Sequence, residues 1–274
     1  MWLDPMPLPA ETGKFYGTYY THDVGETGPA SPVPQRQGSK AAAKRVLAKV
    51  LFWRKHAFLT DLCYLEDMAP GKLLEVGCGN GHFLREATAA GWQAVGIDFD
   101  PNAIAAAQMI PAVQALVGDL LSMGFADGMF DAVVMNNVIE HLPMPDSVFK
   151  ECQRILRPGG RLVMVTPSTR SLGYREYGQD WRGLEVPRHL HLFSPETLEG
   201  FARAAKFTQV ATFSSAGGDF GVEMLVISQA LRDKRLQRRE TRDAPSAKRA
   251  IKSEVASILV GRDIGEWAVL VAHR

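Results

Sequence analysis

Three glycines alternate with other residues in the stretch Glu75-Val-Gly-Cys-Gly-Asn-Gly81, which directly follows a short apolar run. Gly77, Gly79 and Gly81 carry no Cβ atom, so the backbone of this turn can approach a ligand closely. A dinucleotide-binding loop has the spacing G-x-G-x-x-G, whereas the third glycine here comes one residue early. The carboxylate of Glu75 suits a cationic ligand better than a pyrophosphate. The pattern therefore favours a nucleoside ligand that carries a sulfonium cation.

Two acidic residues, Asp98 and Asp119, each close an apolar stretch at a point where a strand would end. In a parallel sheet, ligands bind beyond the carboxyl ends of the strands. We therefore expect Asp98 to accept hydrogen bonds from two ribose hydroxyls and Phe99 to pack against adenine. Asp119 would accept from the adenine amino group, and the Leu120 amide would donate to a ring nitrogen. A simple role in a turn or a helix cap is the alternative for each carboxylate.

These motifs resemble those of class I S-adenosylmethionine-dependent methyltransferases, and the resemblance extends over residues 70–210 and 264–274. It implies S-adenosyl-L-methionine as the cofactor and a small molecule as the methyl acceptor. The residues that it places at the cofactor are Glu75, Gly77, Cys78, Gly79, Gly81, Asp98, Phe99, Asp119, Leu120 and Asn136.

Histidines follow the predicted strands at the rim where the cofactor would present its methyl group. Methyl transfer from a sulfonium is an in-line displacement, so alignment and exclusion of water come first, and only a poorly acidic hydroxyl needs a base. We expect His189 to be that base, with His141 second. A purely structural histidine is the alternative at both positions. The residues predicted to bind the acceptor are Tyr16, Tyr20, Trp181, Arg188 and His191.

The pair Glu140-His141 raises the question of a metal ion. Some relatives that methylate quinone precursors or RNA ends hold a divalent ion with a Glu-x-x-Glu-His cluster. Residue 137, where the first carboxylate of that cluster would stand, is Asn in this chain. Because a hard cation needs that charge, the sequence predicts no metal site.

Strands and helices alternate from residue 72 onward, which is typical of a parallel sheet covered on both faces. The fold class predicted is α/β: a doubly wound, mostly parallel seven-stranded sheet with an antiparallel last strand, as in the Rossmann-like methyltransferase fold. The expected strands are 72–77, 93–97, 113–117, 130–135, 161–166, 207–213 and 266–273. The expected helices are 81–90, 101–109, 146–157 and 194–205, with a helical insertion before the last strand.

The chain divides into an N-terminal arm with an amphipathic helix, 1–62, and a cofactor-binding domain, 63–274. Within the domain, 168–193 is expected to be an acceptor-site insert, and 215–260 a helical lid. The amphipathic helix carries lysines and arginines on one side, which fits either a solvated face or contact with an anionic partner or a membrane surface.

The composition limits the class of protein and the compartment that we expect. The chain has 274 residues, 46% of them apolar, and a net charge of +1, so nothing in its overall charge calls for nucleic acid. Its three cysteines form no C-x-x-C pair, which indicates a reducing compartment. With no secretory leader and no apolar run of about 20 residues, we expect a cytoplasmic protein.

Two function classes remain open on the sequence alone. The first is methyl transfer to a small molecule, most simply to a hydroxyl oxygen of a sugar, a phenol or a quinone-like compound. The second is an S-adenosylmethionine-binding scaffold or regulatory protein that acts on an anionic partner through the basic helix. Transfer of a labelled methyl group to any acceptor distinguishes the two.

Overall fold

A computed structural model describes Leu3 and residues 62–216, 219–237 and 264–274. Seven strands form one sheet in the order β3-β2-β1-β4-β5-β7-β6. The strands are β1 Lys72–Val76, β2 Gln93–Asp98, β3 Gln114–Val117, β4 Phe130–Asn136, β5 Leu156–Pro167, β6 Thr208–Ser215 and β7 Trp267–His273. This architecture confirms the predicted fold class.

The first five strands pair in parallel, and the strand order reverses direction between β1 and β4. β7 pairs antiparallel with both β5 and β6, so it is the one strand of this sheet that runs against the rest. The central strands are almost continuously apolar and buried, as expected where helices cover both faces. The carboxyl ends of β1, β2 and β4 consequently meet at one rim.

Six α-helices lie in the described part of the chain. They are α1 His82–Ala89, α2 Pro101–Ala107, α3 Pro145–Ile155, α4 Leu172–Tyr177, α5 Pro195–Ala204 and α6 Asp219–Arg235. Asp100 caps α2 by accepting from the Asn102 amide, and Ser194 caps α5 by accepting from the Thr197 amide. Both caps agree with the sequence, where Asp or Ser precedes a proline.

One predicted boundary is wrong. The helix expected over 146–157 ends at Ile155, and β5 begins at Leu156 instead of residue 161. Leu156 is fully buried and pairs with Phe130, so tertiary packing draws this residue into the sheet. The Pro158-Gly-Gly turn then lies inside the strand as an irregular segment.

Two apolar layers cover the sheet. On one face, α3 and α5 pack through Phe149, Leu198 and their neighbours. On the other, α1 and α2 pack through Leu84 and Ile104. Cys63, Cys78 and Cys152 are buried free thiols, as expected of small apolar side chains.

The insert between β5 and α5 consists of α4 and two short 3₁₀ helices, Gly178–Asp180 and Arg182–Leu184. It packs against α6, the first helix of the predicted lid. Tyr16, Tyr20, the basic helix and the second half of the lid lie outside the described residues. Among the residues described, no helix combines the length and apolar character needed to cross a membrane.

Candidate functional site

The glycine-rich turn follows β1 and requires its glycines. Gly77, Gly79 and Gly81 all have positive φ angles, 71°, 50° and 81°. A Cβ atom on Gly77 would lie 2.4 Å from Cγ2 of Val138, and one on Gly81 would lie 2.7 Å from Cδ1 of Ile110. Any L side chain would be strained at all three positions and also crowded at Gly77 and Gly81.

Asp98 joins the end of β2 to this turn. Its Oδ2 accepts a hydrogen bond from the Gly79 amide at 2.9 Å, and its Oδ1 accepts from the Asp100 amide at 3.0 Å. The amides of Gly77 and Cys78 in turn donate to the carbonyl of Ile97. The turn and the carboxylate predicted for the ribose therefore form one rigid unit.

Glu75 is the buried acid beneath this unit. Its side chain is 5% exposed, and Oε2 is buried with no hydrogen-bond partner among the described residues. Burial, together with the negative charge of Asp98, raises the pKa of Glu75 well above its ordinary value. A cationic ligand in the turn would compensate both acids, so the donor set fits the positively charged cofactor that the sequence suggests.

The predicted adenine residues lie along the neighbouring strand ends. Phe99 is 53% exposed directly after β2, while Leu120 is buried. Asp119 accepts from the Leu121 amide at 3.0 Å and from the Ser122 hydroxyl, which holds its turn in place. Asn136 closes β4, and its Oδ1 accepts from the Asn137 side chain at 3.3 Å.

A cavity of about 210 Å³ adjoins the turn at the carboxyl ends of β4 and β5. Asn137 lines it, and the next residue, Val138, is the one that crowds Gly77. One wall comes from α6 and β7 and is apolar except for Glu223, and the other is polar and comes from the end of β4 and the insert. The lining residues are Asn137, Glu140, His141, Pro167, Arg182, Glu185, His189, Glu223, Met224, Ile227 and Trp267.

The two predicted bases meet in this cavity. The rings of His141 and His189 lie edge to face with centroids 4.7 Å apart. Nδ1 of His141 is 3.0 Å from the carbonyl oxygen of Arg188, and Nδ1 of His189 is 2.7 Å from that of Gly183. A carbonyl requires a donor, so each Nδ1 carries the proton and each Nε2 is the acceptor atom.

Burial lowers the pKa of both histidines. The pKa of His189 falls to about 3, chiefly through burial and then through the neighbouring His141. The pKa of His141 is lowered by burial as well. Both imidazoles are consequently neutral at pH 7, and a neutral imidazole can accept a proton or bind a cation.

Glu140 lies beside the two rings. The sequence analysis considered this residue only as a possible metal ligand. It is fully buried, its Oε2 accepts from the Thr166 hydroxyl at 3.0 Å, and Oε1 has no hydrogen-bond partner within the described ranges. Burial raises its pKa to about 8. Its backbone carbonyl accepts from the amides of Leu190 and His191, which ties the insert to the end of β4.

Glu185 is a cavity residue that the sequence analysis missed. It pairs with Arg182 at 2.7 Å and with Arg188, and its Oε2 lies 3.4 Å from Nε2 of His189. Its φ of 33° places a non-glycine residue in the left-handed region, a conformation that clusters at functional sites. No sequence pattern distinguishes this glutamate from a surface residue.

The three predicted acceptor residues that the structure describes, Trp181, Arg188 and His191, are not among the residues that line the cavity. Trp181 is 1% exposed, and its indole N–H donates to Glu266 at 2.9 Å, so it supports the wall from behind. His191 packs near Phe193 with ring centroids 6.0 Å apart. Arg188 reaches the site through Glu185.

Comparisons with known proteins agree with this arrangement. A sequence profile described as "Methyltransferase domain" matches residues 50–212. The chain is 31% identical over 154 residues to a ubiquinone biosynthesis O-methyltransferase of Xanthomonas oryzae, covering 51% of this chain and 64% of that protein. It is 31% identical over 159 residues to norajmaline N-methyltransferase of Rauvolfia serpentina, covering 55% of this chain and 50% of that protein. The chain thus spans about half to two thirds of the length of these curated relatives.

Solved structures show the same fold. One is a SAM-dependent methyltransferase of Thermotoga maritima, described as a possible histamine N-methyltransferase. It superposes with a TM-score of 0.53 at 18% identity, covering 85% of this chain and 96% of that one. The profile match covers more than half of the 274 residues. The resemblance drawn from the glycine-rich turn is confirmed, and the chain belongs to the methyltransferase domain family.

Proposed function

We propose that the protein transfers the methyl group of S-adenosyl-L-methionine to a small-molecule acceptor, most simply at a hydroxyl oxygen. The observation that carries the proposal is the junction at residues 137–138. There the glycine-rich turn, with Asp98 and the buried, unpaired Oε2 of Glu75, adjoins the cavity. A cofactor in the turn would face an acceptor in the cavity.

In this proposal, each cofactor residue has a chemical task. Asp98 accepts from the ribose hydroxyls, Phe99 covers adenine, and Asp119 with the Leu120 amide binds the adenine edge. Glu75 compensates positive charge at the amino-acid end of the cofactor. The cofactor itself supplies an electrophilic methyl group on its sulfonium. The Thermotoga relative supports the assignment because it is described as SAM-dependent.

The acceptor is proposed to be compact and partly apolar. A cavity of about 210 Å³ is smaller than the ~300–1,000 Å³ typical of small-molecule sites, so a molecule of one ring fits better than a polymer. Met224, Ile227 and Trp267 would cover its apolar face. The O-methyltransferase from Xanthomonas supports oxygen, and the N-methyltransferase from Rauvolfia supports nitrogen as the second candidate.

Binding of S-adenosylhomocysteine by calorimetry tests the cofactor site. Transfer of a labelled methyl group to a panel of phenols, sugars and cyclic amines tests the reaction. We expect binding, and transfer to at least one phenol or sugar hydroxyl. If the chain bound neither S-adenosylmethionine nor S-adenosylhomocysteine, the proposal would be refuted. Transfer to amines alone would change the acceptor atom from oxygen to nitrogen.

If a histidine accepts the hydroxyl proton, replacing that histidine lowers turnover by about 10²- to 10⁴-fold. His189→Ala and His141→Ala should then lower turnover while S-adenosylhomocysteine affinity stays unchanged. His141 becomes the better candidate of the two, because a pKa of about 3 makes His189 a weak base. An equal loss of cofactor affinity would make either residue structural.

A further inference from the structure

We infer that the methyl acceptor carries a protonated amine in addition to the group that is methylated, and that Glu140 and Glu223 recognise this amine. The inference rests on the proposed function, whose acceptor it specifies. Glu140 belongs to the short 3₁₀ helix after β4, and Glu223 belongs to α6. Both line the cavity of about 210 Å³, so the two carboxyls come from its two different walls. A ring that fills the cavity would meet both.

Glu140 is the buried member of the pair. Its side chain is 0% exposed, and its Oε2 accepts from the Thr166 hydroxyl at 3.0 Å. Its Oε1 is buried with no hydrogen-bond partner among the residues that the structure describes. The large majority of buried side-chain polar atoms have such a partner, and an unpaired one costs free energy. An ammonium group that donates to Oε1 would remove that cost.

The pKa of Glu140 makes a cation the best partner for this oxygen. Burial raises the pKa to about 8, and the charge of Glu185 raises it further. A carboxyl of this kind is held neutral by its surroundings, and a positive charge beside it favours the ionised form. A neutral donor would offer a hydrogen bond alone, whereas an ammonium offers the hydrogen bond and the charge.

Glu223 is the exposed member of the pair. It lines the cavity from α6, and in the described part of the chain no ion pair or hydrogen bond is found for its side chain. Its charge is therefore available to a cation in the cavity. Because water screens an exposed carboxylate, its contribution to binding is smaller than that of Glu140.

The arginines at the cavity already have an acidic partner. Arg182 pairs with Glu185 at 2.7 Å, and Arg188 pairs with the same carboxylate. Binding an anionic acceptor through Arg182 would require that pair to open. The two carboxyls of the inferred amine site need no such rearrangement, so the lining favours a cationic acceptor over an anionic one.

The other lining residues add no positive charge at pH 7. Burial lowers the pKa of His141 and that of His189, so both imidazoles are neutral. Trp267 lines the cavity as well, and indole is the aromatic ring that attracts an ammonium most strongly. A cation in the cavity thus meets carboxyls, neutral rings and an indole.

The ammonium serves recognition and is not the methylated group, because a protonated amine has no lone pair for attack on the sulfonium methyl. In the proposed reaction, a hydroxyl oxygen of the same molecule forms the bond to the methyl carbon while the bond to sulfur breaks. The hydroxyl proton goes to the base, and the ammonium keeps its protons. The substrate class is therefore a one-ring alcohol or phenol that also bears an alkylamine or a ring amine.

Probes that share a ring and differ in charge test the inference. Tyramine is cationic at pH 7, 4-ethylphenol is neutral and 4-hydroxyphenylacetate is anionic. The pair 4-aminocyclohexanol and cyclohexanol extends the comparison to a saturated ring. Calorimetry on the full chain saturated with S-adenosylhomocysteine measures each affinity. We expect at least one amine to bind about 10-fold or more tightly than its neutral counterpart, and the anion to bind most weakly.

Three substitutions locate the amine. Glu140→Gln keeps the size of the side chain and should lower the affinity for the amine by about 10- to 100-fold, the range of a hydrogen bond to a charged group. Its affinity for the neutral probe should stay the same. Glu223→Gln should lower the amine affinity by about 2- to 5-fold. The matched control is Glu199→Gln on α5, a residue outside the cavity lining, which should bind all probes like the unaltered chain.

S-adenosylhomocysteine binding is measured on every variant to show that it is folded. If neither amine bound more tightly than its neutral counterpart, or if the anion bound best, the amine site would be overturned. Methyl transfer to a neutral hydroxyl would then leave the proposed function standing. Equal losses for charged and neutral probes in Glu140→Gln would also overturn the site. Amine binding that depends on Glu140 in a chain without affinity for either cofactor form would retain the site and refute methyl transfer.

Discussion

At the scale of single residues, two buried acids lie beside the glycine-rich turn, Glu75 and Asp98. Burial and then the charge of Asp98 raise the pKa of Glu75, and no basic side chain is among the causes of that shift. Two neighbouring buried acids are costly on their own, and a positively charged ligand bound beside them would offset that cost.

Asp98→Ala should weaken S-adenosylhomocysteine binding by about 10- to 100-fold, because hydrogen bonds to a charged group contribute roughly 1.5–3 kcal/mol each. The variant also removes the bond that fixes the Gly79 amide. Calorimetry measures the affinity. Asp119→Ala is the comparison. The Asp119 carboxylate lies in an exposed turn, so its removal should lower the affinity less. Unchanged affinity in Asp98→Ala would remove this residue from the cofactor site.

Gly77→Ala should destabilise the fold by more than positive φ alone explains. A methyl group there would lie 2.4 Å from Val138, whereas at Gly124, which has a similar φ of 62°, nothing lies within 4 Å. Strained φ costs on the order of 1–3 kcal/mol, and overpacking adds roughly 1–3 kcal/mol more. Urea unfolding of Gly77→Ala and Gly124→Ala separates the two terms. Equal losses in both variants would show that Val138 moves aside freely.

At the scale of elements, the insert is held from two sides. Asp180 forms a paired contact with Arg235 on α6, at 2.7 Å and 3.0 Å to Nε. On the other side, Glu266 accepts from the Gly173 amide at 2.7 Å and from Trp181. α6 therefore forms a wall of the cavity and is fastened at its C-terminal end to the segment that carries His189.

Asp180→Ala should loosen the last turns of α6 without affecting the sheet. Losing this contact is worth about 0.5–1.5 kcal/mol, so amide exchange over residues 229–235 should accelerate by about 2- to 10-fold. Hydrogen exchange with mass spectrometry measures this. Glu199→Ala, which breaks an exposed pair with Arg203 inside α5, is the control and should leave α6 unchanged. Acceleration spread evenly over β4 and β5 would instead indicate global destabilisation.

The regular elements were predictable, and much of the cavity was not. The run Lys72–Val76 and the glycines after it fix β1 and the cofactor turn by local rules alone. His141 and His189 could be named as polar residues on one rim. Their common orientation on carbonyls could not, because His141 contacts the carbonyl of Arg188, 47 positions away, and His189 contacts that of Gly183 only through the folding of the insert. The roles of Glu185 and α6 likewise depend on how the insert packs, which no periodicity encodes.

At the scale of the whole molecule, the buried carboxyl of Glu266 links stability to pH. Burial raises its pKa from 4.5 to about 7. The folded chain therefore keeps a proton between these values that the unfolded chain has released. Stability contributed by this group is present at low pH and is lost as pH rises through this window. At about 1.4 kcal/mol per pKa unit, the loss is at most roughly 3 kcal/mol.

Glu266→Gln should remove that part of the pH dependence, because an amide does not ionise. Urea unfolding at several pH values between 4.5 and 8 measures the difference between the two proteins. As pH rises, we expect the two free energies of unfolding to converge, or the variant to become the more stable of the two proteins. A constant offset across the range would show that Glu266 keeps an ordinary pKa in the folded protein.

The position of β7 has a consequence for how the protein is made. β7 lies between β5 and β6, yet it is synthesised after both; all seven of its residues pair with β5, and six of them pair with β6. While the chain emerges from the ribosome, β6 has no neighbour to pair with, and the edge of β5 stays open. The nascent sheet is therefore exposed to association with other chains until residues 267–273 have emerged. Once β7 has been translated, it pairs with β5 and β6 and closes this part of the sheet.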